Sequence, residues 1–229
     1  MGDRPAVLVF DVNETLIDIE SLRPHFERIL GDADGLREWF NQLVMYSMTS
    51  TLSGSYVDFF TLGQAVLRMI GDSRQVQVTD DDLDALARGM RTMPAHPDVA
   101  DGLAQLRGQG YRLVTLTNSP PKQGVQTPLE NAGLAELFDK QFSVDAWRVF
   151  KPSGQLYTGV AEDLGVRPSD CMMVAAHVWD TIGAQSAGLR GALITRPGNA
   201  PLSTGALPQP DVIAADIPQL AEQLRRWDR

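Results

Sequence analysis

The run Ala6-Val7-Leu8-Val9-Phe10 is continuous in apolar side chains, rich in β-branched residues, and ends abruptly in Asp11. An unbroken apolar run of strand length must be covered on both faces, which is the situation of a strand inside a parallel sheet flanked by helices. Two further runs repeat the pattern. Tyr111 to Leu116 follows an amphipathic stretch from Val99 to Leu106, and Cys171 to Ala175 follows the segment Leu156 to Leu164. Strands alternating with helical segments predict an α/β fold on a parallel sheet. Gly191 to Ile194 and Val212 to Ile213 offer further strands, five or six in all, and Ile217 to Trp227 reads as a closing amphipathic helix.

The segment from about Ile19 to Met93 breaks this rhythm. Apolar residues fall at helical spacing in Leu36-Trp39-Phe40-Leu43-Val44 and again in Phe59-Leu62-Val66-Met69-Ile70. Thr79-Asp80-Asp81-Asp82 before Leu83 supplies an N-cap and an acidic first turn for another helix, and Pro94 with Pro97 marks the return to the core. The expected organisation is a core formed by residues 1–18 and 94–229, with residues 19–93 as a helical insertion. A chain of 229 residues has room for one such core and a smaller accessory unit.

Composition narrows the function classes. A net charge of −9 argues against a nucleic-acid surface, which needs clustered Lys and Arg, so an anionic substrate must meet locally placed positive groups. The single cysteine, Cys171, sits beside Met172, Met173 and Val174 and reads as a buried thiol, in keeping with a reducing cytoplasm. The first apolar run is too short for a signal peptide or a membrane span, so a cytoplasmic location without membrane contact is expected.

In open parallel sheets ligands bind beyond the carboxyl ends of the strands, so polar residues just after each apolar run mark where chemistry belongs. These are Asp11, Asn13 and Thr15 after the first run, Thr117, Asn118 and Ser119 after the second, and His177, Trp179 and Asp180 after the third; Lys151 lies between the second and third. A carboxylate at a strand end can act as a nucleophile whose line of attack the fold fixes. The same residues also have quieter uses: Asp11 as a cap, Thr117-Asn118 as turn-shaping residues, Lys151 as a solvated surface lysine. The apolar, rigid context Phe150-Lys151-Pro152 suits a cation held close to carboxylates.

Taken together, Asp11-Val12-Asn13-Glu14-Thr15-Leu16, Thr117-Asn118, Lys151-Pro152 and the late Asp180 stand in the order and approximate spacing of the four motifs of the haloacid dehalogenase superfamily, which the chain resembles over essentially its whole length. Within it the sequence is most similar to the type II 2-haloacid dehalogenases, through Ser143-Val144-Asp145, Val149-Phe150-Lys151-Pro152, Tyr157, Trp179-Asp180 with Gly183-Ala184, and Asn118-Ser119-Pro120. The resemblance implies a Rossmann-like parallel-sheet core with a helical cap inserted after the first strand. It also implies a cofactor-free hydrolase acting on a short halogenated carboxylic acid, fluorinated acids included, with water as co-substrate. Asp11 would displace halide from the α-carbon with inversion, and water would hydrolyse the resulting aspartyl ester. Thr15 and Thr117 would orient Asp11 or the substrate carboxylate, Lys151 would keep the nucleophile ionised, and Asp180 would position Lys151 and the hydrolytic water, supported by Tyr157. Val12, Phe40, Phe59, Asn118, Tyr157, His177 and Trp179 are the implied substrate-binding candidates, with Phe59 and Trp179 as apolar walls. Relatives often form homodimers, and a homodimer is expected here.

Several positions depart from the superfamily's pattern. Phosphatases of this superfamily carry a general-acid aspartate two residues after the nucleophile and a further acid about four residues before the last aspartate; here those places hold Asn13 and Ala175-Ala176. An amide cannot donate a proton as a general acid, and halide needs no such donor, so no metal is expected. A phosphatase or another ester hydrolase using the same aspartate is the alternative enzyme, and a non-catalytic binding module is a third class, weakened by the joint presence of Asp11, Lys151 and Asp180. Against the dehalogenases, Phe40 falls where the cap helix should carry an arginine, and Ala175 and His177 replace the usual serine and asparagine. The candidates to hold the substrate anion instead are backbone N–H groups around Asn118 and Ser119 together with His177, whose charge can change between about pH 5 and 8.

Overall fold

All residues of the first strand, β1 (Val7–Phe10), are buried, as expected of a central strand covered on both faces. The computed structural model describes residues 4–121 and 124–227. After β1 come the helices α1 (Arg23–Leu30), α2 (Gly35–Leu52), α3 (Phe59–Ser73) and α4 (Asp80–Arg91), with no strand among them. Then follow α5 (Val99–Gly108), β2 (Arg112–Thr117), α6 (Pro128–Asn131), β3 (Lys140–Ser143), α7 (Gly154–Leu164), β4 (Cys171–Ala175), α8 (Val178–Ser186), β5 (Arg190–Ile194), β6 (Val212–Ala214) and α9 (Ile217–Arg225). The strands form one parallel six-stranded sheet in the order β3-β2-β1-β4-β5-β6.

The strand order reverses direction at β1, which pairs with β2 on one side and β4 on the other. Phe10 stands opposite Thr115 and Val174, so Asp11 emerges beside the ends of both neighbours. This is the crevice where doubly wound sheets bind ligands.

In the helical segment, Leu36, Trp39, Phe40, Leu43 and Val44 are all buried along one face of α2. Trp39 Nε1 donates to the Gly63 carbonyl at 2.8 Å, and a Cβ on Gly63 would lie 3.1 Å from the Trp39 ring, so a glycine there lets α2 and α3 pack closely. Thr79 and Asp82 form the reciprocal capping box that opens α4. The sixth strand of the sheet, β3, was not among the apolar runs: its Lys140 and Gln141 are exposed on an edge, where one buried side chain suffices.

Candidate active site

Three strand ends and one loop meet at Asp11. Its backbone N–H donates to the Val174 carbonyl at 3.0 Å, tying the residue to β4 as β1 ends. Lys151 Nζ donates to Asp11 Oδ1 and Asp180 Oδ2, each at 2.7 Å, and to the Leu116 carbonyl at 3.0 Å. All three ammonium protons are thus engaged on a side chain only 1% exposed. Thr15 Oγ1 donates to Asp11 Oδ2 at 2.6 Å and accepts from Ala176 N–H at 2.8 Å, so this hydroxyl links the carboxylate to the end of β4. Tyr157 donates to Asp180 Oδ1 at 2.6 Å, leaving neither Asp180 oxygen without a partner.

These contacts set the protonation states. Burial pushes the Asp11 carboxyl up, but the Lys151 charge and the nearby His177 outweigh it and hold Asp11 well below the usual carboxylate range. Burial alone would discharge Lys151, yet Asp11 and Asp180 raise its pKa above the ordinary lysine value. Asp180 ends above its ordinary value: burial raises it, Lys151 draws it down, and Asp11 pushes it up again. The result is an ionised strand-end carboxylate, charged at the pH where a nucleophile must work.

A narrow cleft opens in front of Asp11, with a cavity volume of about 10 Å³. Asn13, Asn118 and His177 line it with polar groups, and Phe40, Val44, Phe59 and Trp179 with apolar ones. Phe40, Val44 and Phe59 come from α2 and α3, so the helical insertion supplies one wall and the strand ends the other. Asn13 Nδ2 donates to Ser119 Oγ at 3.2 Å, and Asn118 Oδ1 accepts from Lys151 N–H at 3.3 Å.

Three of the expected site residues do not line the cleft. Val12 is packed into the hydrophobic core, because its carbonyl accepts from both Leu16 and Ile17 N–H and turns the loop inward. Tyr157 is fully buried and joins the polar network through its hydrogen bond to Asp180, outside the cleft lining. Thr117 Oγ1 accepts from Ser119 N–H at 3.1 Å and shapes its own turn; among the described residues no hydrogen bond joins it to Asp11.

His177 differs from expectation in its charge. Nε2 lies 2.7 Å from Glu14 Oε2, and Nδ1 faces Asp11 Oδ2 at 3.4 Å without a hydrogen bond of good geometry. Burial would discharge the ring, but Asp11 and Glu14 raise its pKa to about 9. Its charge therefore changes near pH 9, outside the window between 5 and 8 that an unperturbed imidazole implies. Its ring lies between Trp179, stacked at 5.0 Å, and Phe40, tilted at 5.6 Å, and aromatic faces favour a cation between them.

Glu14 stands inside the first motif without an assigned role, yet it organises this wall. It is buried, has a left-handed backbone (φ 70°), and takes hydrogen bonds from His177, from Arg37 on α2, and from Asn199 at 3.2 Å. Burial raises its pKa, but His177 and Arg37 more than reverse this and keep it charged. Its signal in the sequence is an acid on the strand-end loop between Asn13 and Thr15, to both of which the motif reading gives a part. Arg196, also unanticipated, clamps the same loop by donating to the Thr15 carbonyl at 3.0 and 2.9 Å while pairing with Asp98.

Comparison with known proteins identifies the family. Residues 5–188 match the family model of haloacid dehalogenase-like hydrolases. An (S)-2-haloacid dehalogenase of Pseudomonas sp. (strain CBS-3) is 30% identical over 220 residues, covering 94% of this chain and 96% of the relative. A second, from Burkholderia cepacia, is 29% identical over 203 residues, covering 88% and 87%. The L-2-haloacid dehalogenase of Xanthobacter autotrophicus, solved with chloropropionic acid covalently bound, superposes with a TM-score of 0.86 at 26% identity, covering 97% of this chain and 99% of that one.

Proposed function

The chain belongs to the haloacid dehalogenase-like hydrolases, and we propose that it cleaves the carbon–halogen bond of a short 2-haloacid through an aspartyl ester on Asp11, without a metal. The observation that carries this reading is the coordination of Asp11: one oxygen on Lys151, the other on Thr15, and the residue itself at the cleft wall. A carboxylate held ionised and oriented in this way attacks a saturated carbon in line, and the bond to halide breaks as the new carbon–oxygen bond forms. Water then cleaves the ester and returns the carboxylate.

The tightly packed cleft favours a short acid over a bulky one, and fluorine, as the smallest halogen, falls within that reading. Helices α1 to α4 act as a cap whose apolar residues Phe40, Val44 and Phe59 exclude bulk water from the reacting carbon. Metal independence is supported by the amide of Asn13 where a carboxylate would bind a hard cation, and by Ala175-Ala176 where a second acid would stand. The test is a substrate panel of chloro-, bromo- and fluoroacetate, both enantiomers of 2-chloropropionate and common phosphomonoesters, scored for halide and phosphate. Halide release from one 2-haloacid enantiomer is expected. Phosphate release without halide release would replace this reading with a phosphatase.

A further inference from the structure

Two residues with a fixed positive charge are buried among those described, Lys151 in the Asp11 cluster and Arg196 on the loop after β5. The chemistry above uses the first and leaves the second without a part. A guanidinium only 6% exposed has given up its water and must find its hydrogen bonds in the protein. Arg196 Nε and Nη2 both donate to the Thr15 carbonyl, at 3.0 and 2.9 Å, while Nη1 and Nη2 donate to the two oxygens of Asp98 at 2.7 and 3.0 Å. Asp98 is itself fixed, because its Oδ2 also accepts from Ile217 N–H at 3.0 Å where α9 begins. The planar fork therefore ties the nucleophile's loop to the starts of α5 and α9.

The Thr15 hydroxyl is the group this tie governs. It accepts from Ala176 N–H at 2.8 Å, so its own proton is directed to Asp11 Oδ2 at 2.6 Å. A threonine side chain is stiff about χ1, so Oγ1 goes where the backbone of residue 15 puts it. That backbone follows Glu14, which stands at φ 70°, a conformation that a residue with a side chain keeps only where its surroundings fix it. Two groups hold successive carbonyls here. His96 Nε2 lies 3.0 Å from the Glu14 carbonyl oxygen, and the Arg196 fork closes on the next one.

Resting on the dehalogenase reading above, we propose that Arg196 is a positioning residue for the alkylation step: by clasping the Thr15 carbonyl it aims the Thr15 hydroxyl and, through it, fixes the plane of the Asp11 carboxylate. Lys151 holds Oδ1 and Thr15 holds Oδ2. A carboxylate held at one oxygen alone turns about its Cβ–Cγ bond, and in-line attack depends on that angle. A displacement of about 1 Å caused by a change remote from the chemistry costs on the order of 10²-fold in rate. Arg196 touches neither Asp11 nor the cleft lining, so its effect runs through Thr15.

The experiment uses the full chain in two backgrounds, the parent and Thr15→Val, which keeps the shape of the side chain and removes its hydroxyl. Into each goes Arg196→Met together with Asp98→Asn, which removes the buried charges as a pair while the asparagine can still accept from Ile217. Arg196→Lys, which keeps the charge opposite Asp98 and loses the fork, is made in both backgrounds as the gentler change. Chloroacetate and 2-chloropropionate are the probes, single-turnover halide release is followed by rapid quench, KM comes from steady-state rates, and thermal melts check folding. In the parent background both changes should slow halide release on the order of 10²-fold with KM nearly unchanged, since no residue of the cleft lining is altered. In Thr15→Val, with no hydroxyl left to aim, they should add less than about a twofold effect, the scatter of independent changes. A merely structural role would slow both backgrounds alike. Equal slowing in the two backgrounds, undiminished halide release in a folded Arg196 variant, or full rescue by lysine would overturn the assignment; where the paired variant does not fold, Arg196→Lys decides it by the same comparison. A parent that releases no halide from any haloacid would overturn the dehalogenase reading and this role with it, a result distinct from loss in the variants alone.

Discussion

Replacing Lys151 by Met separates the buried charge from the packing that surrounds it, because methionine has a similar stem and no charge. The ammonium holds Asp11 and Asp180 at 2.7 Å each and is only 1% exposed, so solvent cannot take over its role. Removing one side of such a buried group costs roughly 3–5 kcal/mol. For a chain of this size that corresponds to a fall in Tm of roughly 6–20 °C, at about 2–4 °C per kcal/mol. The deficit depends on pH with a definite sign. Without the cation the two carboxylates cannot both ionise, and Asp180, already raised in the parent, keeps a proton above the unfolded carboxylate value of about 3.9. A group raised on folding contributes stability that is fully present below its unfolded pKa and is lost as pH climbs through the folded one, by up to about 1.4 kcal/mol per unit. In the parent, Asp11 is depressed, so its contribution is present above the unfolded value and lost only as pH falls through the depressed one. The gap between variant and parent should therefore be widest near about pH 7 and narrow toward about pH 5. Urea denaturation followed by tryptophan fluorescence at both pH values measures it. A deficit below about 1 kcal/mol at neutral pH, or one that widens on acidification, would refute the cluster as described.

Other outcomes follow from the same geometry. Asp11→Asn should abolish halide release, and a single turnover in ¹⁸O-water should place label in the Asp11 carboxylate; label confined to the product would mean direct attack by water. EDTA should leave the rate unchanged, since Asn13 and Ala176 offer no oxygen anion to a hard cation; a strict Mg²⁺ requirement would restore the phosphatase. The KM for a haloacid should stay flat to neutral pH and rise as pH passes about 9, where His177 loses its charge, and His177→Asn should lack that rise. A KM insensitive to pH in the parent would show that neutral donors alone hold the substrate carboxylate.

The core of the fold was legible because its signal is strong: long apolar runs such as Val7–Phe10 and Cys171–Ala175 have no comfortable place except a covered parallel sheet. Strand β3 was not, since two of its residues face solvent at an edge and carry no apolar pattern. At the site, Asp11, Lys151 and Asp180 were readable because each is a charged residue placed just after, or rigidly between, strands. The positions of Thr117 and Val12 were not, because turn hydrogen bonds to Ser119, Leu16 and Ile17 decide where those groups point, and such bonds leave no mark on sequence spacing. The pairing of Glu14 with His177 spans 163 positions and exists only once β1 and β4 lie side by side.

That pairing also bears on the residue that seemed most damaging to a haloacid-binding site. Phe40 brings no charge to the α2 wall, and its ring instead lies 5.6 Å from that of His177 on the opposite wall. The arginine on this helix is Arg37, one turn earlier, and it is spent on Glu14 and Glu20. Arg37 nevertheless changes what the cleft presents. By sharing Glu14 it offsets part of the charge that would otherwise be balanced by His177 alone, so the buried carboxylates Asp11, Glu14 and Asp180 face Lys151, His177 and Arg37. The positive charge on the cleft wall opposite α2 is that of His177, a group that, unlike arginine, can release its proton. An arginine at position 40 would keep its charge at every pH. If His177 holds the substrate carboxylate, affinity for the acid should fall as the ring is discharged near pH 9.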